Sequence, residues 1–183
     1  MKPLDAELYE HVGEISPPRI VERTYTVIEQ RDERDGTTRR QYIEQQRAKQ
    51  AWADIMEIQA LAEKEQKEYR SIARSLNSMI QINGLGQTLG FLKAKGKITK
   101  GVKNSHFSLL GHLTHWMHDH FNAAIVDVHA EKNDGLLRWI TDVANNNDYR
   151  RATTECIAYG TWLRRFAEGE LKAPDIEEGE DNE

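Results

Sequence analysis

Ten residues, His112–Phe121 ("HLTHWMHDHF"), hold four histidines and one aspartate. Imidazole and carboxylate groups bind zinc-like ions, and imidazole is the usual proton carrier near neutral pH. On a helix His112, His115 and Asp119 stand at i, i+3 and i+7, so three donors share one side, with His118 nearby. At about 100° per residue, Leu109, Leu110, Leu113, Trp116, Met117 and Phe121 gather on the other side, and His120 falls within that apolar arc. The spacing admits one metal ion. It also describes an amphipathic helix whose polar side meets water or a partner. We adopt the second reading, because metal sites sit in clefts with supporting groups and this side points away from the core.

The doublet His118-Asp119 resembles the metal-binding pair of HD-type phosphohydrolases, which are also all-α. That family needs an earlier histidine on another helix and a later aspartate. Here His106, His112 and His115 share the doublet's own helix, His11 lies in a poorly patterned arm, and Asp127 and Asp142 are arbitrary choices. A metal-dependent HD-like phosphohydrolase built on His112–His120 is therefore the enzymatic alternative, not the adopted reading; the metalloprotease pattern HExxH is absent. Gly84, Gly86 and Gly90 in "NGLGQTLGF" miss the dinucleotide-loop spacing, with Leu89 where glycine is required. Helix termination and close packing explain them more simply. Cys156 falls in an apolar seam and reads as core. No catalytic residue, metal or cofactor is expected.

Two basic features are more informative. "FLKAKGKITKGVK" places Lys93, Lys95, Lys97, Lys100 and Lys103 along a glycine-containing loop without one acid. Such a run can follow a phosphate backbone without reading bases. On the last helix Arg150, Arg151, Arg164 and Arg165 project within about 70° of a direction opposite the apolar seam. Thr154 and Thr161 lie between the two pairs, which are roughly 20 Å apart along the axis. A guanidinium fork binds two phosphate oxygens at once.

The elements that must position these groups are helices. Thr38 and Gln41 form a capping box ahead of a long helical run, with Trp52, Ile55, Met56 and Gln59 on one stripe and Ile72, Leu76, Met79 and Ile80 on a second. A bend is expected near Lys64–Lys67, and Asn83-Gly84 ends the run. "LGQTLGFLKAK" is a shorter helix, followed by the loop "GKITKGVKNS". Ser105 caps a helix over about 106–122, and Asp134 caps "DGLLRWITDVAN". The last helix, about 148–168, carries Tyr149, Ala152, Cys156, Tyr159, Leu163 and Phe166 at alternating steps of three and four. The fold class is all-α, a compact helical bundle with an irregular N-terminal extension and an acidic, disordered C-terminal tail. In residues 1–38, Pro17-Pro18 and Asp35-Gly36 leave a short hairpin and an arm lying on a partner equally open.

The 183 residues suit one domain. The net charge of −5 hides an uneven distribution. Residues 168–183 carry eight acids and one lysine, residues 1–38 nine acids and five bases, and residues 39–167 nineteen bases and thirteen acids. A basic body between acidic ends points to a polyanionic partner. No stretch reaches the ~18 apolar residues of a membrane span, and the acidic start is no secretory signal. A single cysteine excludes an internal disulfide framework. The cytoplasm is the expected compartment.

Three segments, "QQRAKQAWADI", "EYRSIARSLNSMIQINGLGQTLGFLKAKGK" and "YRRATTECIAYGTWLRRFAEG", resemble the small α-helical subunit of type III-B CRISPR effector complexes, the Cmr complexes. The resemblance covers most of residues 41–169. It implies a non-enzymatic subunit that stacks as an inner filament with other copies of itself. It further implies contacts with the backbone and large subunits, and with guide RNA and target RNA, in antiviral defence. It carries the RNA-contacting role onto Lys93, Lys95, Arg150, Arg151, Arg164 and Arg165. Residues 1–38 have no counterpart in the family, the histidine helix falls in a variable part of it, and the tail after Glu168 is idiosyncratic. The expected organisation is an extension (1–38), a helical small-subunit domain (39–169) and an acidic tail (170–183). The non-enzymatic alternative is a pure assembly factor whose basic faces meet acidic neighbours.

Overall fold

A computed structural model describes residues 39–99, 101–121, 125 and 133–173. The chain divides into two compact units, Met1–Gln41 and Tyr42–Glu183, and the packing that follows belongs to the second. Helix α1 covers Arg39–Gln59, α2 Glu63–Asn83, α3 Leu85–Lys95, α4 Ser105–His120, α5 Gly135–Asp142 and α6 Asn146–Glu170. The fold class is all-α, as expected. Between α3 and α4 the expected loop contains a minimal ladder. Strands β1 (Ile98–Thr99) and β2 (Val102–Lys103) pair antiparallel, Ile98 opposite Lys103 and Thr99 opposite Val102. The Thr38 capping box, the arm of residues 1–38, Lys100, Asp127 and the tail from residue 174 lie outside the described residues.

Local chemistry sets the boundaries. The α1–α2 bend falls between Gln59 and Glu63, ahead of the expected Lys64–Lys67. There Gln66 Nε2 donates to the carbonyls of Gln59 (2.9 Å) and Leu61 (3.0 Å), satisfying acceptors that a helix end leaves open. Gly84 closes α2 at φ +83°, with its N–H bonded to Ile80 O, a conformation that glycine adopts without a Cβ penalty. The cap of α4 is Asn104, not Ser105. Asn104 Oδ1 accepts from Phe107 N–H at 3.0 Å and from Lys97 N–H at 2.9 Å, while its Nδ2 donates to Lys95 O at 2.9 Å. One side chain thus starts α4 and ties down the root of the hairpin. Ser105 instead donates to Glu65 O on α2. Asn145 caps α6 by accepting from Asn147 and Asp148.

Helix α2 packs against α3, α4 and α6, and the α2–α6 contact is the most extensive. The α6 seam appears as expected: Ala152, Cys156, Tyr159 and Leu163 are fully buried, with Tyr149 and Phe166 packed at its ends. Leu85, Leu89, Leu92, Leu109, Leu110 and Leu113 are also fully buried, each worth about 1.5–3 kcal/mol relative to exposure. On α1 the buried stripe is Ala51, Asp54, Ile55 and Ile58. Trp52, expected on that stripe, is 43% exposed and meets Phe166 edge-on with centroids 5.2 Å apart. Gln59 is likewise exposed.

Candidate nucleic-acid interface and the histidine helix

The histidines of α4 separate into three environments. His112 is not on the outer side: its Nδ1 shares a 2.8 Å hydrogen bond with the hydroxyl of fully buried Tyr69 and lies 3.8 Å from Asp54 Oδ2. Helices α1 and α2 cover it, so it stands apart from the polar pair it was grouped with. His115 Nε2 and His118 Nδ1 converge on Asp119, at 3.3 and 2.6 Å. His120 stacks on Trp116 (3.9 Å, 15°), and Trp116 stacks in turn on Tyr159 (4.7 Å, 10°). Burial lowers the pKa of His112 below the usual 6.5, against the opposing pull of Asp54. Burial lowers His120 as well. Among the described residues no three His, Cys, Asp or Glu side chains are grouped to hold a metal ion; His112, which helical spacing would set beside His115 and Asp119, faces Tyr69 and Asp54 instead.

A polar network unread in the sequence joins the helices around this point. Tyr159 O–H donates to Asp54 Oδ2, and Gln50 Nε2 donates to Oδ1 at 2.9 Å. Arg47 forks onto Glu155 at 2.8 and 2.6 Å. Trp116 Nε1 donates to the same carboxylate at 2.8 Å. The bond to Glu155 pushes the Arg47 pKa further up, keeping the pair charged. Arg47 neutralises Glu155 and neutral donors satisfy Asp54, so the network holds α1, α4 and α6 together with its own donors and acceptors paired. Cys156 is buried and burial pushes its thiol pKa well up, which removes the thiolate needed for nucleophilic chemistry. Gly86 N–H donates to Tyr149 Oη at 3.1 Å, so this helix start is occupied by protein.

The lysines stand on and beside the β1–β2 hairpin. Lys95, Lys97 and Lys103 are exposed, and Lys103 lies over the Phe107 ring at 5.9 Å. Lys93 is partly buried and pairs with Asp134 at 3.3 Å. A groove beside the hairpin is lined by Glu68, Phe91, Lys95, Lys97, Asn104 and His106.

The four arginines of α6 are exposed, as their spacing predicts. They are not equivalent. Arg164 Nε lies 3.1 Å from Glu168 Oε1. Arg151 is 3.8 Å from Asp148 and sits over the Phe121 ring at 5.0 Å. Arg165 lies over Trp162 at 5.8 Å, and neither it nor Arg150 has a carboxylate partner among the described residues. Thr161 does not lie open between the pairs; its Oγ1 accepts from Asn77 Nδ2 at 2.9 Å. Arg74 of α2, 3.8 Å from Glu168, extends the cationic face across the helix gap. It went unread because it is remote in sequence, although its i+4 spacing from Arg70 was a visible sign.

Comparison with known proteins follows the same outline. The family described as "CRISPR-associated protein (Cas_Cmr5)" matches residues 43–170. A crystal structure of a CRISPR-associated Cmr5 family protein from Thermus thermophilus superposes with a TM-score of 0.54 at 23% identity. The match covers 74% of this chain and 100% of that one, which establishes a shared fold.

Proposed function

The chain belongs to the Cas_Cmr5 family of CRISPR-associated proteins, and from that premise we propose that it is a non-catalytic, RNA-contacting subunit of a type III-B complex. As a Cmr subunit it works alongside other subunits of that complex. The finer proposal is an inner filament of stacked copies beside the backbone and large subunits, holding guide RNA and target RNA in antiviral defence. Its binding is sequence-independent, because guide pairing supplies the specificity.

The observation that carries RNA contact is the set of exposed cations free of described carboxylates: Arg150 and Arg165 on α6, and Lys95, Lys97 and Lys103 at the hairpin. An exposed cation that is not internally paired releases the most counterion when it meets a phosphate. Reversing Arg150, Arg151, Arg164 and Arg165 to glutamate is expected to weaken RNA retention by the assembled complex. Unchanged affinity and unchanged salt dependence would remove the arginine face from the proposal. For Lys93, Lys95, Lys97, Lys100 and Lys103 the corresponding measurement is crosslinking to target RNA.

A pure assembly role is favoured by exposed Tyr42 (58%) and Trp52 on α1, since large aromatics often anchor protein interfaces. Under that reading the same arginine variant loses co-purifying subunits while RNA retained per complex stays constant.

A further inference from the structure

Residues 174–183 carry six carboxylates and no base, with Ile176 set between Asp175 and Glu177-Glu178. We propose that this acidic segment occupies the groove beside the lysine hairpin of its own chain, where it competes with RNA for the same cations. The competition rests on the RNA reading above; the docking of the tail does not.

The groove complements the segment in charge and in apolar character. Lys95 and Lys97 line it with no ion-pair partner among the described residues, and Phe91, 41% exposed, lines it too; Lys103 and Ile98, 44% exposed, share one face of the adjoining hairpin. Cations interleaved with apolar side chains fit acids flanking an isoleucine. Glu68, the acid among the lining residues, accepts from Ser105 Oγ at 3.2 Å and lies 3.2 Å from His106 Nδ1, and it forms no ion pair with Lys95 or Lys97.

The path is short. The described chain leaves the fold against α2: Leu171 is buried, its carbonyl accepts from Arg70 at 2.7 Å, and Lys172 N–H donates to Gln66 Oε1 at 3.4 Å. Gln66 and Arg70 stand one turn apart on that helix, and Glu68 between them points to the opposite side, where it lines the groove. A helix is about 10–12 Å across, and five extended residues reach roughly 17 Å. The acids from Glu177 onward can therefore pass around α2 to the hairpin. Tethering supplies an effective concentration of about millimolar, so even a weak contact is populated. Near the end of α6 Arg164 and, from α2, Arg74 already share Glu168, which leaves Arg165 as the single cation there without a carboxylate among the described residues.

The test compares amide NMR spectra of the full chain with those of a full-length D175N/E177Q/E178Q/E180Q/D181N/E183Q variant. Signals from Lys95 to Lys103 are expected to shift on neutralisation. Raising NaCl from about 0.05 to 0.5 M, which shrinks the screening length several-fold, should produce the same shift in the wild type and little in the variant. Unmoved hairpin signals, or shifts confined to Arg164 and Arg165, would overturn the proposal. Shifts that vanish on dilution would also overturn it, by placing the tail on a second copy. With a single-stranded oligouridine, the neutralised variant should bind several-fold more tightly. If hairpin signals move but neither form binds this RNA, the RNA reading fails and the tail contact stands.

Discussion

Tyr159 and Asp54 meet 105 positions apart in sequence, in the middle of the core. Burial and the Asp54 charge both push the Tyr159 pKa well up, so its hydroxyl stays a donor across the accessible pH range. Tyr159→Phe leaves a buried carboxylate with Gln50 as its remaining close donor. The expected cost is about 1.5–3 kcal/mol, as for lost bonds to charged groups, measured by urea unfolding. His112 gives a pH signature. Its folded pKa lies below 6.5, so below that pH the unfolded chain takes up more protons than the folded one. Stability falls as pH drops from about 6.5 toward the folded value, and is unaffected by this group above 6.5. His112→Gln should flatten part of that slope in melting curves between pH 7.5 and 5.5, and His120, lowered in the same direction, accounts for another part. The sequence misplaced His112 because angular position on a helix fixes only its own side. It does not say that Tyr69 and Asp54 will cover it.

At the level of elements, the α2–α6 contact turns on one glycine. A Cβ at Gly160 would stand 2.5 Å from Asn77 Oδ1 and 2.9 Å from Leu76 Cδ2. Alanine at a helix interior normally gains roughly 1 kcal/mol over glycine. Here Gly160→Ala is expected to destabilise by about 1–3 kcal/mol, as overpacking does, because Asn77 must give up its bond to Thr161. In an Asn77→Ala background the penalty should shrink, and a double-mutant cycle reads the difference. Helix types, the α6 seam and the Gly84 stop were legible, since period and stop residues are local properties. The α4 cap was not: serine and asparagine both suit that role, and only the hairpin's need for a donor and an acceptor at Lys95 and Lys97 selects Asn104. Trp52 was misread because the buried side of α1 runs through Ala51, Asp54, Ile55 and Ile58, and Trp52 stands at its margin.

At the scale of the whole molecule, the proposed RNA contact rests on charge rather than on a shaped cleft. For single-stranded nucleic acid each phosphate contact contributes about 0.7 to the slope of log affinity against log salt. Arg150→Ala and Arg165→Ala together should therefore lower the slope by about 1.4 in RNA titrations at several salt concentrations. Arg164→Ala should change it less, because Glu168 already neutralises part of that charge. Among the described residues no helix is long and apolar enough to cross a membrane. The sequence by itself determined the all-α class and the exposed arginine face, since each depends on spacing along the chain, and its three matching segments carried the resemblance to the family. Tertiary structure alone decided that His112 is covered by α1 and α2, that Thr161 is tied to α2, that Arg74 joins the arginines, and which cations are left without a carboxylate. Those outcomes depend on groups far apart in sequence, and pairing between helices is set by packing that no single helical period encodes.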